Sequence, residues 1–174
     1  MIATPTASLV DRTAPDVPAL YAAHWRSLVR LAVLLVDDVP TAEDTVQDAF
    51  ISLYRNQARL RAPEAALAYL RQAVVNGCRS RLRHRAVVRK TVPVVADDST
   101  GAQQDAFDAV GVDTEMIAAL RTLPPRMQEV LVLRYWSDLS EAQIAHTLGI
   151  STGSVKSTAH RGLEKLRSTL GGAR

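Results

Sequence analysis

Leu139–Arg167 reads LSEAQIAHTLGISTGSVKSTAHRGLEKLR, and the order of its residues decides the fold of the C-terminal part of the chain. Ser140 with Gln143 three residues later is a capping box, in which two side chains satisfy N–H groups left open at a helix start. Ile144, Ala145 and Leu148 follow at helical spacing, and Gly149 permits the tight turn that ends the helix. Ile150 plugs the junction, and Val155, Ala159, Leu163, Leu166 and Leu170 line one face of a second helix from about Thr152 to Leu170. Two helices joined in this way form a helix-turn-helix. The opposite face of the second helix carries Gly153, Lys156, Ser157, His160 and Arg161. A DNA major groove admits one helix, whose N-terminal residues reach base edges. Arg161 suits a guanine edge or a phosphate, Lys156 mainly a phosphate, and Ser157 and His160 either. A solvated polar face would explain any one of these residues. The turn glycine, plug, buried stripe and basic face in this order favour DNA binding.

The sequence upstream is also helical in period. Glu115–Thr122 is short and stopped by Pro124, and Pro125–Trp136 carries Val130, Leu131 and Leu133. Before them, Thr91–Val112 holds Pro93, Gly101, Gly111 and paired aspartates without a basic residue, the composition of a linker. A long helix is predicted from Pro63 to about Lys90, burying Leu67, Leu70, Val74, Cys78 and Leu82. A further helix is predicted from a capping box at Thr41 and Asp44 to about Asn56, with Val46, Phe50 and Leu53 inward. The first helix has Asp16 as cap, Pro18 in its first turn, and Leu20, Leu28, Leu31 and Leu35 at helical spacing up to the break at Pro40. Met1–Asp16 lacks periodicity and reads as a mobile tail. No alternating stretch of strand length occurs. The expectation is an all-α chain of two small helical domains, 17–90 and 113–174, joined by a flexible acidic linker at 91–112.

Charge is arranged in blocks along this plan. The 174 residues carry 21 basic and 18 acidic groups, net +3. Residues 1–50 are net −4, 51–92 net +9, 93–120 net −6 and 121–174 net +4, so the small total is a cancellation. Such separation bears on partners more than on fold. A hydrophobic content of 47 % supports a core and excludes wholesale disorder. The longest apolar run, Leu31–Val36, falls well short of the roughly 18 residues that suggest a spanning helix. The single Cys78 forms neither an internal disulfide nor a zinc site and suits a reducing cytosol. These features predict a cytoplasmic protein without a membrane partner. His24, His84, His146 and His160 have no metal-ligand spacing, and no glycine-rich phosphate loop occurs. No catalytic, cofactor or metal site is expected.

Two further surfaces stand out in the N-terminal half. Glu43, Asp44, Gln47 and Asp48 share one helix face away from the apolar stripe, an acidic ridge suited to a partner protein. Gln72, Asn76, Arg79, Arg83 and Lys90 fall along one face of the long helix, with Arg59, Arg61, Arg81, Arg85 and Arg89 nearby. Ten basic groups against one carboxylate favour a polyanion, and Gln72 and Asn76 add amides that can read bases. Tyr54 and Tyr69 could stack on an unpaired base, with a core position as the alternative for Tyr69.

These residues resemble bacterial RNA polymerase sigma factors of the extracytoplasmic-function group. The carriers are AEDTVQDAF (Ala42–Phe50) and YLRQAVVNGCRSRLRHR (Tyr69–Arg85), similar to the family's region two. LPPRMQEVLVLRYWSDLSEAQIAHTLGIS and GSVKSTAHRGLEKLR are similar to its region four. The resemblance implies a factor that binds core RNA polymerase, directs it to promoters and helps to melt the minus-ten element. It implies Asp44, Gln47 and Asp48 against the clamp of the largest subunit. It implies Arg59, Arg61, Gln72, Asn76, Arg79 and Arg83 at the minus-ten element, including the melted non-template strand. Gly153, Lys156, Ser157, His160 and Arg161 would meet the minus-thirty-five element, with the Val130–Trp136 surface on the flap of the second-largest subunit. An anti-sigma factor is a further implied partner. The chain departs from the family at Tyr69, where tryptophan is frequent, and at Gly77–Cys78, where an aspartate is frequent. The competing readings are a dimeric helix-turn-helix regulator, which leaves the acidic ridge and the +9 block without tasks, and an enzyme, for which no site is visible.

Overall fold

The computed structural model describes residues 15–36, 38–60, 62–91, 106–109 and 111–171, and among these every regular element is helical. In order they are α1 (Val17–Val36), α2 (Val39–Asn56), a 3₁₀ turn (Gln57–Arg59), α3 (Pro63–Thr91), a single turn α4 (106–109), α5 (Thr114–Arg121), α6 (Pro125–Tyr135), α7 (Glu141–Leu148) and α8 (Thr152–Gly171). The tail before Pro15, Arg61, and residues 92–105 of the expected linker lie outside the described residues, as do the side chains of Arg89 and Lys90.

Helices α1, α2 and α3 pack on one another to form the first half. The expected start of α1 is present, with the Ala19 N–H donating to Asp16 Oδ1 at 3.0 Å. By length and composition α1 could cross a membrane. Leu28, Val29 and the whole of Leu31–Val36 are instead buried among its neighbours, so its apolar face is used as core. The start of α2 differs from the expectation. Asp38, not Thr41, is its cap, accepting from the Thr41 N–H at 2.7 Å, and Pro40 sits inside the first turn rather than breaking the chain there. A proline in the first turn loses nothing, because its missing N–H would have had no helical partner. Burial pushes the Asp38 carboxyl up, but hydrogen bonds from Thr41 and Arg85 outweigh it and hold the group below the usual carboxylate range.

Helices α6, α7 and α8 form the second half with α5 against α8. The capping box of Ser140 and Gln143 is present in both directions, at 3.3 and 2.9 Å. Ile144, Ala145, Leu148, Val155, Ala159 and Leu166 are buried, while Ile150, Leu163 and Leu170 are half-buried against that core. Two residues of the expected linker are core: α4 buries Phe107, and Val112 is buried beyond it.

Gly149 closes α7 at φ +65°, ψ +41°, the left-handed conformation that side chains with a Cβ avoid. Nothing lies within 4 Å of a Cβ placed there, so backbone strain alone is at issue. Gly149→Ala should lower stability by about 1–2 kcal/mol, with Gly149→Asn milder. Urea unfolding of both variants measures the difference.

Candidate protein and nucleic-acid interfaces

The acidic ridge follows directly from the helical period of α2. Ala42, Thr45, Val46 and Ala49 are buried, which turns Glu43, Asp44, Gln47 and Asp48 to the exterior, all four exposed. Asp48 Oδ2 accepts from Arg81 Nη2 of α3 at 2.6 Å. Asp44 makes no ion pair among the described residues. The ridge is therefore anionic and open, with its C-terminal carboxylate shared with α3.

The basic block on α3 is less open than its composition suggests. Leu70, Val74, Val75 and Cys78 are buried, and the arginines occupy the remaining arc. Three of them are engaged by carboxylates from other elements. Arg85 Nη2 donates to Asp38 Oδ2 and to Thr41 Oγ1, both at 2.5 Å, tying α3 to the start of α2. Arg81 takes Asp48 as above. Arg79 forms a two-pronged pair with Glu129 of α6, through Nε to Oε1 and through Nη2 to Oε2 at 2.7 Å. Its Nη1 also donates to Asn76 Oδ1 at 3.3 Å. The hydrogen bond from Arg79 to Glu129 holds the guanidinium above its ordinary pKa, outweighing the opposing effect of burial. Asn76, Arg83 and Arg59 are exposed and Gln72 is half-buried. The structure thus gathers Gln72, Asn76, Arg79 and Arg83 on α3, with Arg59 on the turn after α2.

The two tyrosines part company. Tyr54 is 63 % exposed and presents its ring to solvent. Tyr69 is half-buried, with its hydroxyl 2.5 Å from Ser52 Oγ and 3.4 Å from the Asn56 amide nitrogen that donates to it. It is a strut between α3 and the last turn of α2, immediately before the Gln57–Arg59 turn, rather than a free stacking platform. The thiol of Cys78 is pushed up to about 12, first by burial, so it stays protonated at neutral pH and offers no nucleophile.

In the second half Gly153, Lys156, Ser157, His160 and Arg161 are all exposed on the N-terminal half of α8. Lys156 Nζ lies 3.5 Å from Glu141, and His160 Nε2 lies 3.5 Å from Glu164. Pairs between such exposed groups are weak and leave the side chains able to turn to another anion. The Val130–Trp136 surface must be corrected, because Val130, Leu131, Val132 and Leu133 are buried in the core of their own domain. Only Tyr135 and Trp136 are exposed there, with Arg134 half-buried and 3.2 Å from Glu141. A run of four apolar residues in a helix this short covers both flanks, and sequence alone does not separate core from surface in it.

The Ser52–Tyr69 contact is testable as a pair. Tyr69→Phe should cost about 1 kcal/mol, the net worth of one part-buried hydrogen bond. Ser52→Ala should cost a similar amount, and the double variant should lose less than the sum. Denaturant unfolding of the three proteins measures the coupling.

Comparison with known proteins bears on what these faces meet. Residues 20–87 match the family described as sigma-70 region 2, and residues 113–166 match sigma-70, region 4. The RNA polymerase sigma-E factor of Streptomyces avermitilis is 34 % identical over 148 residues, covering 83 % of this chain and 79 % of that protein. The ECF RNA polymerase sigma factor SigM of Mycobacterium tuberculosis is 35 % identical over 166 residues, covering 92 % and 79 %. Among solved structures, the sigma factor RpoE in complex with the anti-sigma factor NepR from Bartonella quintana superposes with a TM-score of 0.71. That match has 22 % identity and covers 91 % of this chain and 99 % of RpoE, a likeness of fold.

Proposed function

We propose, on the premise that this chain belongs to the sigma-70 family and within it to the extracytoplasmic-function group, an assignment of its exposed faces to the steps of promoter opening. The chain is a sigma factor: it binds core RNA polymerase and directs it to specific promoters to start transcription. It is an initiation factor and not an enzyme, since the phosphodiester chemistry belongs to the polymerase. We place it in the cytoplasm, where its polymerase works.

Residues 17–90 are the unit for the clamp and the minus-ten element, and residues 113–174 the unit for the minus-thirty-five element. The acidic ridge of Asp44, Gln47 and Asp48 docks on the clamp of the largest subunit. Gln72, Asn76, Arg79 and Arg83, with Arg59 from the Gln57–Arg59 turn and with Arg61, hold the melted non-template strand. Flipping a base out of its stack costs a few kcal/mol, so a site that captures it keeps the duplex open. On α8, Gly153, Lys156, Ser157, His160 and Arg161 enter the major groove. Gly153 brings the backbone close, and the others supply donors to phosphates and base edges. Tyr135 and Trp136, the exposed end of α6, meet the flap. An anti-sigma protein is the regulator this group suggests, and the solved relatives in complex with such proteins support that partner.

The observation that carries this reading is the presence on one chain of an open acidic ridge on α2 and an open basic face on the N-terminal half of α8, each on its own family domain. The protein should co-elute with core polymerase and support run-off transcription from promoter fragments selected with the reconstituted holoenzyme. Failure of both with folded protein removes the reading. Asp44→Arg is the sharper variant, because Asp48 is also tied to Arg81. It should weaken polymerase binding by about tenfold with the fold intact, as charge reversal at a docking face does.

A further inference from the structure

A carboxylate stands beside the basic face of α8, in the domain proposed to read duplex DNA. Glu141 opens α7 directly after its cap Ser140 and reaches both neighbouring helices. Its Oε1 accepts from Arg134 Nη1 of α6 at 3.2 Å, and its Oε2 lies 3.5 Å from Lys156 Nζ of α8. The place suits a negative charge, because the open N–H groups at a helix start favour one. The Glu141 side chain is 31 % exposed against 68 % for Lys156, and Arg134 holds it from behind. Glu141 is therefore the fixed member of the pair, and Lys156 the one free to turn.

The two strong cations of the α8 face thus differ in their surroundings. Arg161 donates from Nε to the Ser157 carbonyl at 3.3 Å and has no carboxylate in ion-pair reach among the described residues. Lys156 has Glu141. An ammonium carries three donors, so Lys156 keeps two for DNA while the third faces Glu141. What those two can meet is constrained by the carboxylate behind them. A phosphate on the far side of the ammonium would sit about 6 Å from Glu141, two hydrogen-bond lengths, inside the screening length of about 8 Å at physiological salt. The two anions repel at that distance. The O6 and N7 acceptors of a guanine edge carry no net charge and meet no such penalty. Arg161 is under no such constraint and takes a phosphate as readily as a base edge.

We infer that Glu141 is a specificity-determining residue of the second domain: its carboxylate disfavours a phosphate at Lys156 and so turns that ammonium toward an uncharged base edge. Glu141 acts through Lys156 and is a positioning residue. The inference rests on the assignment of α8 to the major groove. Phosphates are alike at every step of a duplex, whereas base edges differ. A cation kept off phosphates adds little to sequence-blind binding and much to discrimination. The gain in specificity comes from weaker binding to the wrong DNA.

Holoenzyme reconstituted with the full-length chain tests it on two fluorescein-labelled duplexes. One carries a promoter selected with that holoenzyme, and the other is identical except for a scrambled minus-thirty-five element. Fluorescence anisotropy at a series of salt concentrations gives both affinities and their salt dependence. Glu141→Gln should bind the scrambled duplex at least about threefold tighter, hold the selected one within about twofold, and steepen the salt dependence on the scrambled duplex by about one phosphate contact. Glu141→Asp keeps the charge and should stay near the parent on both. Lys156→Ala should weaken the selected duplex by about tenfold and hardly change the scrambled one. Added to Glu141→Gln, it should remove the gain on the scrambled duplex. Parental affinity and salt dependence of folded Glu141→Gln on the scrambled duplex overturn the inference, as does a gain that survives Lys156→Ala. A tenfold loss on the selected duplex in Glu141→Gln also overturns it, since the carboxylate would then be a direct contact. If Lys156→Ala and Arg161→Ala both leave the selected duplex unchanged, the α8 assignment itself fails and the inference with it, a result distinct from the others.

Discussion

The structure depends on how one helix disposes of its charge. Residues 51–92 hold ten basic groups and one carboxylate, and most of them lie on α3, whose other face must enter the core through Leu70, Val74 and Cys78. Arginines so close together repel one another, and water screens this least where their stems are packed against protein. Carboxylates therefore come from elsewhere in the chain. Asp38 reaches Arg85, Asp48 reaches Arg81 and Glu129 reaches Arg79. These three pairs tie α3 to the start of α2, to the middle of α2 and to the second domain.

Each pair has a second consequence. Asp38 caps α2 as well as holding Arg85, so the start of one helix and the far half of another are set by one carboxylate. Asp48 stands in the ridge proposed for polymerase, so that ridge is tied to α3 by an ion pair across the surface of one domain. Glu129 belongs to the domain proposed to read duplex DNA while engaging a residue proposed for the melted strand. The charge blocks of the sequence are thus partners of one another within the free chain as well as signals of external ones.

The fold was legible in most of its elements. Caps at Asp16 and Ser140, the turn at Gly149 and most of the apolar stripes of α3 and α8 are local patterns, with Leu67 and Leu82 of α3 only half-buried, and local patterns survive folding because their physics acts over one or two turns. The misjudged start of α2 is of the same scale. Asp38 and Thr41 are both good caps; Asp38 takes that place, and Thr41, inside the first turn, joins it in accepting from Arg85, a residue 47 positions from Asp38. Tyr69 was equally ambiguous, since a tyrosine at a helix surface is a stacking platform or a strut according to whether a hydroxyl partner stands opposite. Ser52 and Asn56 stand there.

By itself the sequence determined two all-α domains, a helix-turn-helix in the second, an acidic ridge, a basic helix and the family to which these belong. All of these rest on residue order within a helix or on charge within a block, and neither requires distant contacts. Only the tertiary structure decided which charges are spoken for. It withdrew Val130–Leu133 from the surface, placed Phe107 and Val112 in the buried set, and joined Arg79 to Glu129 across 50 residues. The reason is physical. A charge becomes a structural or a recognition group according to the counter-charge nearest in space, and separation along the chain does not reveal that distance.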